Sequence, residues 1–141
     1  VDIVNLNKKV LLYVIRRLKE RGTFFGKLQV MKLMFLIDHL NVEGKKEKIS
    51  RESFLGNEYI IYHFGPFSFK VSEEYDMIKD EELKNEVVLD EKIREKVDLI
   101  IDKFGKFDGW TLQEKCMEML GISLQEKGRF MCLKIKEIVK N

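Results

Sequence analysis

The sequence predicts a mainly α-helical, compact multi-helix domain that carries one small β-strand or hairpin element. Three observations predict it. Apolar residues recur every three or four positions through most of the chain, the spacing of a helix face turned towards a core. The segment from Leu28 to Leu40 is apolar nearly all round, as a helix packed on several sides requires. One short run, Glu58 to Phe64, is instead β-branched and aromatic, and the chain's single proline follows it.

Taken in order, Leu6, Val10, Leu11, Val14, Ile15 and Leu18 share one face of a first helix, with Asn5 as its cap and Gly22 as its stop. A central helix runs from Lys27 to Leu40. Asn41 to Lys48 is a polar, charged loop, and Ile49 to Leu55 is expected to form a short helical turn. Glu58 to Phe64 is a strand or extended arm ended by Gly65-Pro66, with a pairing partner expected around Glu86 to Leu89. Ser68 caps a helix reaching about Lys79 with Val71, Tyr75 and Ile78 inward, and Asp90 caps one carrying Ile93, Val97, Ile100, Ile101 and Phe104, closed by Gly105. Asp108 or Gly109 opens a helix with Trp110, Leu112, Cys116, Met119 and Leu120. After Gly121, a capping box from Ser123 to Glu126 starts a further helix that buries Leu124, Met131, Ile135 and Ile138.

A chain of 141 residues, 45% hydrophobic and 35% charged, fits one domain over residues 1–141; a domain of this size buries roughly two thirds of its unfolded surface. Its apolar stretches are broken by Lys or Asp before the ~20 residues of a membrane span, and no cleavable leader is evident in Val1 to Leu12. Cys116 and Cys132 lie far apart on predicted helix faces and read as free buried thiols, which favours a cytoplasmic location. The formal charge of +2 is too small to announce a nucleic-acid binder, although the first forty residues are basic and Glu73 to Glu86 is acidic.

Catalysis would need a nucleophile beside a base, a metal cluster or phosphate-cradling glycines. His39 and His63 have no metal-ligand spacing around them, and His39 reads as a surface residue at a helix end. The glycines are dispersed singly and punctuate helices. The reading is therefore non-enzymatic, with no catalytic residue, no metal and no cofactor.

A helix-turn-helix is the alternative. The helices on either side of Gly121-Ile122-Ser123 have its outline, and the second would offer Gln125, Lys127 and Arg129 to base edges or phosphates, with Arg16 and Lys19 of the first helix as further phosphate contacts. That packing wants a small residue where Met117 stands and an apolar one where Lys127 stands. A solvated face would carry the same residues.

Three segments occur in order: Lys32-Leu33-Met34-Phe35-Leu36, then Tyr62-His63-Phe64-Gly65-Pro66-Phe67-Ser68, then Phe104 to Leu112. Together, across residues 24 to 120, they resemble the Panacea, or SocA-like antitoxin, domain, with its KLLYF-like helix, its YGP turn opening a helix and its YGxLSAWEL-like segment. Met31 stands where the family has glutamine, Gln29 is out of frame with it, and the usual Thr-His is replaced near Cys116 and Met117. The resemblance implies a mainly α fold with a small β element. It also implies an antitoxin or adaptor that binds a protein partner, either sequestering a toxin or presenting a client to a protease.

The partner surface is accordingly placed on Tyr62, Phe64, Gly65, Pro66 and Phe67, flanked by Trp110. Gly65-Pro66 fixes a tight reversal that either presents Phe64 and Phe67 to a partner or anchors the arm on the central helix. The regulator with nucleic acid as partner stays as the alternative reading, and no membrane partner is expected.

Overall fold

The computed structural model describes residues 6–22 and 24–140; Asn5, the expected cap of the first helix, lies outside them. Its helices are α1 (Leu6–Glu20), α2 (Lys27–His39), α3 (Phe69–Met77), α4 (Glu91–Phe104), α5 (Gly109–Met119) and α6 (Ile135–Ile138), joined by 3-10 helices at Asp80–Lys84 and Leu124–Phe130. Two antiparallel hairpins complete it: β1 (Leu40–Glu43) with β2 (Lys46–Ile49), and β3 (Ile60–Tyr62) with β4 (Gly65–Phe67).

α2 is the axis of the fold. Every residue from Gln29 to His39 is buried, because α1, α3, α4, α5, β1 and β4 all pack on it. Its neighbours are one-sided by comparison: α1 buries Val10, Leu11, Val14, Ile15 and Leu18, and α4 buries Val97, Ile100, Ile101 and Phe104. Each such side chain contributes roughly 1.5–3 kcal/mol on leaving water, so the helical periodicity of the sequence is the record of this core. The start of α5 meets α2 closely, since a Cβ on Gly109 would lie 2.7 Å from Leu28 Cγ. Gln29 Nε2 donates to the carbonyls of Gly105 (2.9 Å) and Phe107 (2.8 Å), satisfying backbone acceptors that the end of α4 leaves open.

The caps form as the sequence predicts. Ser68 Oγ accepts from Val71 N at 3.2 Å, Asp90 from Lys92 N at 3.2 Å and Asp108 from Thr111 N at 2.7 Å.

Several expectations are corrected. The stretch read as a loop, Asn41 to Lys48, is the β1–β2 hairpin; only Leu40 and Ile49, paired at its base, are buried, so its other positions carry no apolar pattern. The stretch read as a helical turn, Ile49 to Leu55, is irregular because its amides serve the end of α2: Ser50 N donates to His39 O (2.6 Å) and Phe54 N to Asp38 O (2.8 Å). The partner of β3 is not Glu86 to Leu89 but Gly65 to Phe67, in register Ile60–Phe67 and Tyr62–Gly65. Gly65-Pro66 therefore continues the sheet, and Pro66, which has no N–H to give, sits in an outer strand where none is needed.

The capping box at Ser123 does form, with Glu126 N donating to Ser123 Oγ at 3.2 Å, but it opens a 3-10 helix and not the long helix expected. The chain then turns at Cys132 (φ +66°) and lays residues 132–135 along β3 before the four-residue α6. Of the residues expected inside, Leu124 is exposed, Met131 and Ile138 are half-buried and Ile135 is buried. Finally, His39 is buried at 3% and Cys132 is an exposed thiol outside any helix, while Cys116 is free and buried as expected. No helix among the described residues is long and apolar enough to cross a membrane.

Candidate partner-binding site

The β3–β4 hairpin turns through His63 and Phe64, and two lysines from different elements hold it. Lys32, on α2, donates from Nζ to Pro66 O at 2.8 Å inside the protein. Lys127, in the Leu124–Phe130 3-10 helix, donates to His63 O from the outer side. Gly65 makes the bend possible at φ +88°, a conformation costly for residues with a Cβ. A Cβ there would also lie 3.4 Å from Gln113 Cγ, against α5. The turn is thus fixed from three sides.

That rigidity divides the aromatic residues into two sets. Phe67 is half-buried and packs on Tyr62 (ring centroids 5.3 Å apart) and edge-to-face on Phe69 (5.0 Å). Phe64 instead meets Trp110 of α5 edge-to-face, at 5.3 Å and 84°. Phe64 is 50% exposed, Phe69 61% and Trp110 59%. Large aromatic side chains left this open on a fixed backbone offer apolar area to a partner at little ordering cost. Beside them lies an apolar cleft of about 330 Å³ walled by Leu28, Met31, Tyr62, Phe64 and Phe67, with Lys32 in its lining.

Lys32 is the most unusual group in the site. It is 1% exposed, and Pro66 O is its hydrogen-bond partner; no carboxylate among the described residues pairs with it. Burial lowers its pKa from 10.5 to about 8, with the positive charge of Lys127 adding to the effect. The neighbouring Cys116 thiol is pushed up to about 12 by its own burial, so at neutral pH it is protonated and no thiolate nucleophile.

The opposite end of α2 holds a second buried polar group. Asp38 accepts from Ser53 Oγ (2.5 Å), Leu55 N (2.5 Å) and Asn57 Nδ2 (2.8 Å), which ties the 50–57 loop to α2. Asn57 in turn donates to Asn7 of α1. His39, stacked near Phe35 and Tyr59, has Nδ1 2.9 Å from Ser50 O; a carbonyl partner makes that nitrogen the N–H donor. Burial lowers the His39 pKa. Among the described residues no three His, Cys, Asp or Glu side chains group as metal ligands.

Of the residues singled out from the sequence, the structure brings together Tyr62, Phe64, Gly65, Pro66, Phe67 and Trp110. Gly65 and Pro66 are buried and act as its frame. The residues of the nucleic-acid alternative are not one set: Arg16 lines a depression with Glu86 and Arg94, whereas Lys127 is bonded to the aromatic turn. Gln125, Lys127 and Arg129 lie on a 3-10 helix, so a helix-turn-helix has no α-helix here to place in a groove. The site residue that sequence reasoning missed is Lys32 as a buried group, visible there only as a lone cation inside an apolar helix.

The family model for the SocA-like antitoxin, Panacea domain matches residues 30–119, the span from α2 to α5 that contains the turn, both aromatic sets and Lys32. No curated protein and no solved structure matches the chain. With the larger part of its length in that match, and the motif residues in the places just described, the chain belongs to the Panacea-domain, SocA-like antitoxin family.

Proposed function

We propose that the chain is an antitoxin that neutralises a toxin protein by binding it, without catalysis, and that Phe64 and Trp110 form the centre of the contact. The observation that carries this reading is the exposed pair of Phe64, on a hairpin clamped by Lys32 and Lys127, and Trp110 of α5, within the family-matched span. Interfaces draw most of their energy from a few central aromatic or Arg anchors, and a fixed pair of half-exposed rings suits that role. The family membership supports the antitoxin-like role and the kind of partner.

The test is growth rescue. The chain is co-expressed with candidate toxins, each a small protein that alone arrests growth, and rescue is compared among wild type, Phe64→Ala and Trp110→Ala. Both rings are at least half exposed, so each variant should lose less than about 1 kcal/mol of stability while rescue and complex formation fall sharply. Rescue by both variants at wild-type level would remove the turn from the interface. Rescue that requires a host protease would turn the reading from sequestration to delivery.

A further inference from the structure

The two edges of the β3–β4 hairpin differ. Its outer strand, β4, contains Pro66 and is backed by α2 and α5. The free edge of β3 is covered by the chain's own residues 132–135: Ile61 N donates to Leu133 O (3.0 Å), Cys132 N to Ile61 O (2.7 Å) and Ile135 N to Tyr59 O (3.1 Å). Ile60 and Lys134 face each other across this antiparallel pairing.

The edge and its cover are unequal in how firmly they are held. Tyr59 and Ile61 are 1% and 0% exposed and belong to the core. In residues 131–140, by contrast, Ile135 alone is buried, and Cys132, Lys134, Lys136 and Glu137 are exposed. Cys132 is held at φ +66°, a conformation unfavourable for a residue with a side chain. The remaining ties are an open Lys134–Glu58 ion pair (3.3 Å), a long exposed bond from Arg51 Nε to Lys136 O (3.4 Å) and the half-buried Ile138 and Val139 against the core, and exposed ion pairs contribute little. The edge also leads directly into the His63–Phe64 turn.

We propose that the edge of β3, through the backbone of Tyr59 and Ile61, takes an extended segment of the partner protein by antiparallel main-chain pairing, in exchange for residues 132–135. This rests on the reading of the adjacent turn as a partner-binding site, because one segment spans both. The register specifies the partner. It carries an apolar side chain where Ile135 now sits, repeats that character at alternate positions, and has no proline at the two residues whose N–H groups meet Tyr59 O and Ile61 O.

The bridge geometry supplies the experiment. Ile60 and Lys134 are a non-hydrogen-bonded antiparallel pair, whose Cα atoms stand about 4.5 Å apart, within the range a disulfide spans. Ile60→Cys with Lys134→Cys, on a Cys132→Ser background, closes the edge when oxidised and releases it when reduced. Two probes are offered to both forms of the full chain: the toxin identified by growth rescue, and a labelled peptide of the sequence 130–139 with glycine in place of Cys132, which enters the left-handed conformation without strain. Both should bind the reduced form at least tenfold more tightly than the oxidised form. Equal toxin binding by the two forms would overturn the strand exchange and leave the antitoxin reading standing. A peptide that binds neither form would show that the cover does not exchange, and would overturn it as well. Peptide binding to the reduced form alone, with no toxin bound by either, would uphold the edge and sink the antitoxin reading.

Discussion

Replacing Lys32 by Met tests whether the lysine beneath the turn is a stored cost of folding. Against an ordinary value of 10.5, a pKa of about 8 means that burial disfavours the ammonium by about 3 kcal/mol. Met has nearly the same length and no charge, so Lys32→Met removes that penalty. It also strips Pro66 O of its buried donor, which costs about 1–3 kcal/mol. At pH 7 the variant should therefore be as stable as wild type or more stable by up to about 2 kcal/mol. The sign reverses with alkali. A lysine whose folded pKa lies below its unfolded value leaves the unfolded chain holding more protons between about 8 and 10.5, so wild-type stability from this group rises across that window. The rise amounts to about 2–3 kcal/mol between pH 7 and pH 10, and the variant lacks it. Cys116, held protonated up to about 12, lowers the stability of both proteins above pH 9 and largely cancels in their difference. Guanidinium denaturation of both proteins at pH 7, 9 and 10 measures that difference. A difference that stays constant over the range would refute the assignment of a buried, proton-releasing lysine.

Asp38→Ala leaves Ser53 Oγ, Leu55 N and Asn57 Nδ2 without their acceptor, and should cost about 3 kcal/mol or more in denaturant unfolding. Gly65→Ala forces a Cβ into φ +88°; it should lower stability by about 1–2 kcal/mol and shift the NMR signals of Phe64 and Trp110 together, since the turn carries their contact. His39 is neutral in the folded protein because burial lowers its pKa, so its contribution is present above about 6.5 and is lost as pH falls below it. His39→Phe should flatten the acid limb of the stability profile between pH 6.5 and pH 5, measured by denaturation midpoints.

The helices were legible because burial writes a period. α1 and α4 each turn one face inward, and Ser68, Asp90 and Asp108 announce starts through local side-chain chemistry that needs no tertiary context. The β1–β2 hairpin had no such signature, since burial touches only its base. The stretch after Gly121 misled for a related reason. A capping box is a four-residue device and says nothing about how far a helix runs, while Gly128 weakens the helix and Met131, Leu133 and Ile135 carry the two-residue spacing of the strand-like pairing that wins.

At the site, Gly65-Pro66 among aromatics marked a reversal of the chain, and the structure places that reversal at His63-Phe64, with Gly65 and Pro66 already in the returning strand. What could not be read is which rings face outward, because that depends on Trp110, 46 positions beyond Phe64 and meeting it only after α5 has packed on α2. Lys32 and Asp38 are instructive in a different way. Each breaks an otherwise apolar helix that every neighbour covers, so neither can reach water from α2, and a buried ionisable group must find a partner or change its protonation. Asp38 takes the first course by ordering the 50–57 loop, and Lys32 takes a share of both, bonding Pro66 O with a depressed pKa. The two buried charges in the central helix thus fix the chain on either side of β3: one sets where the strand begins and the other where its hairpin returns. An aromatic turn held this way keeps Phe64 and Trp110 in position before any partner arrives, and that pre-organisation is what a binding surface of only a few exposed rings requires.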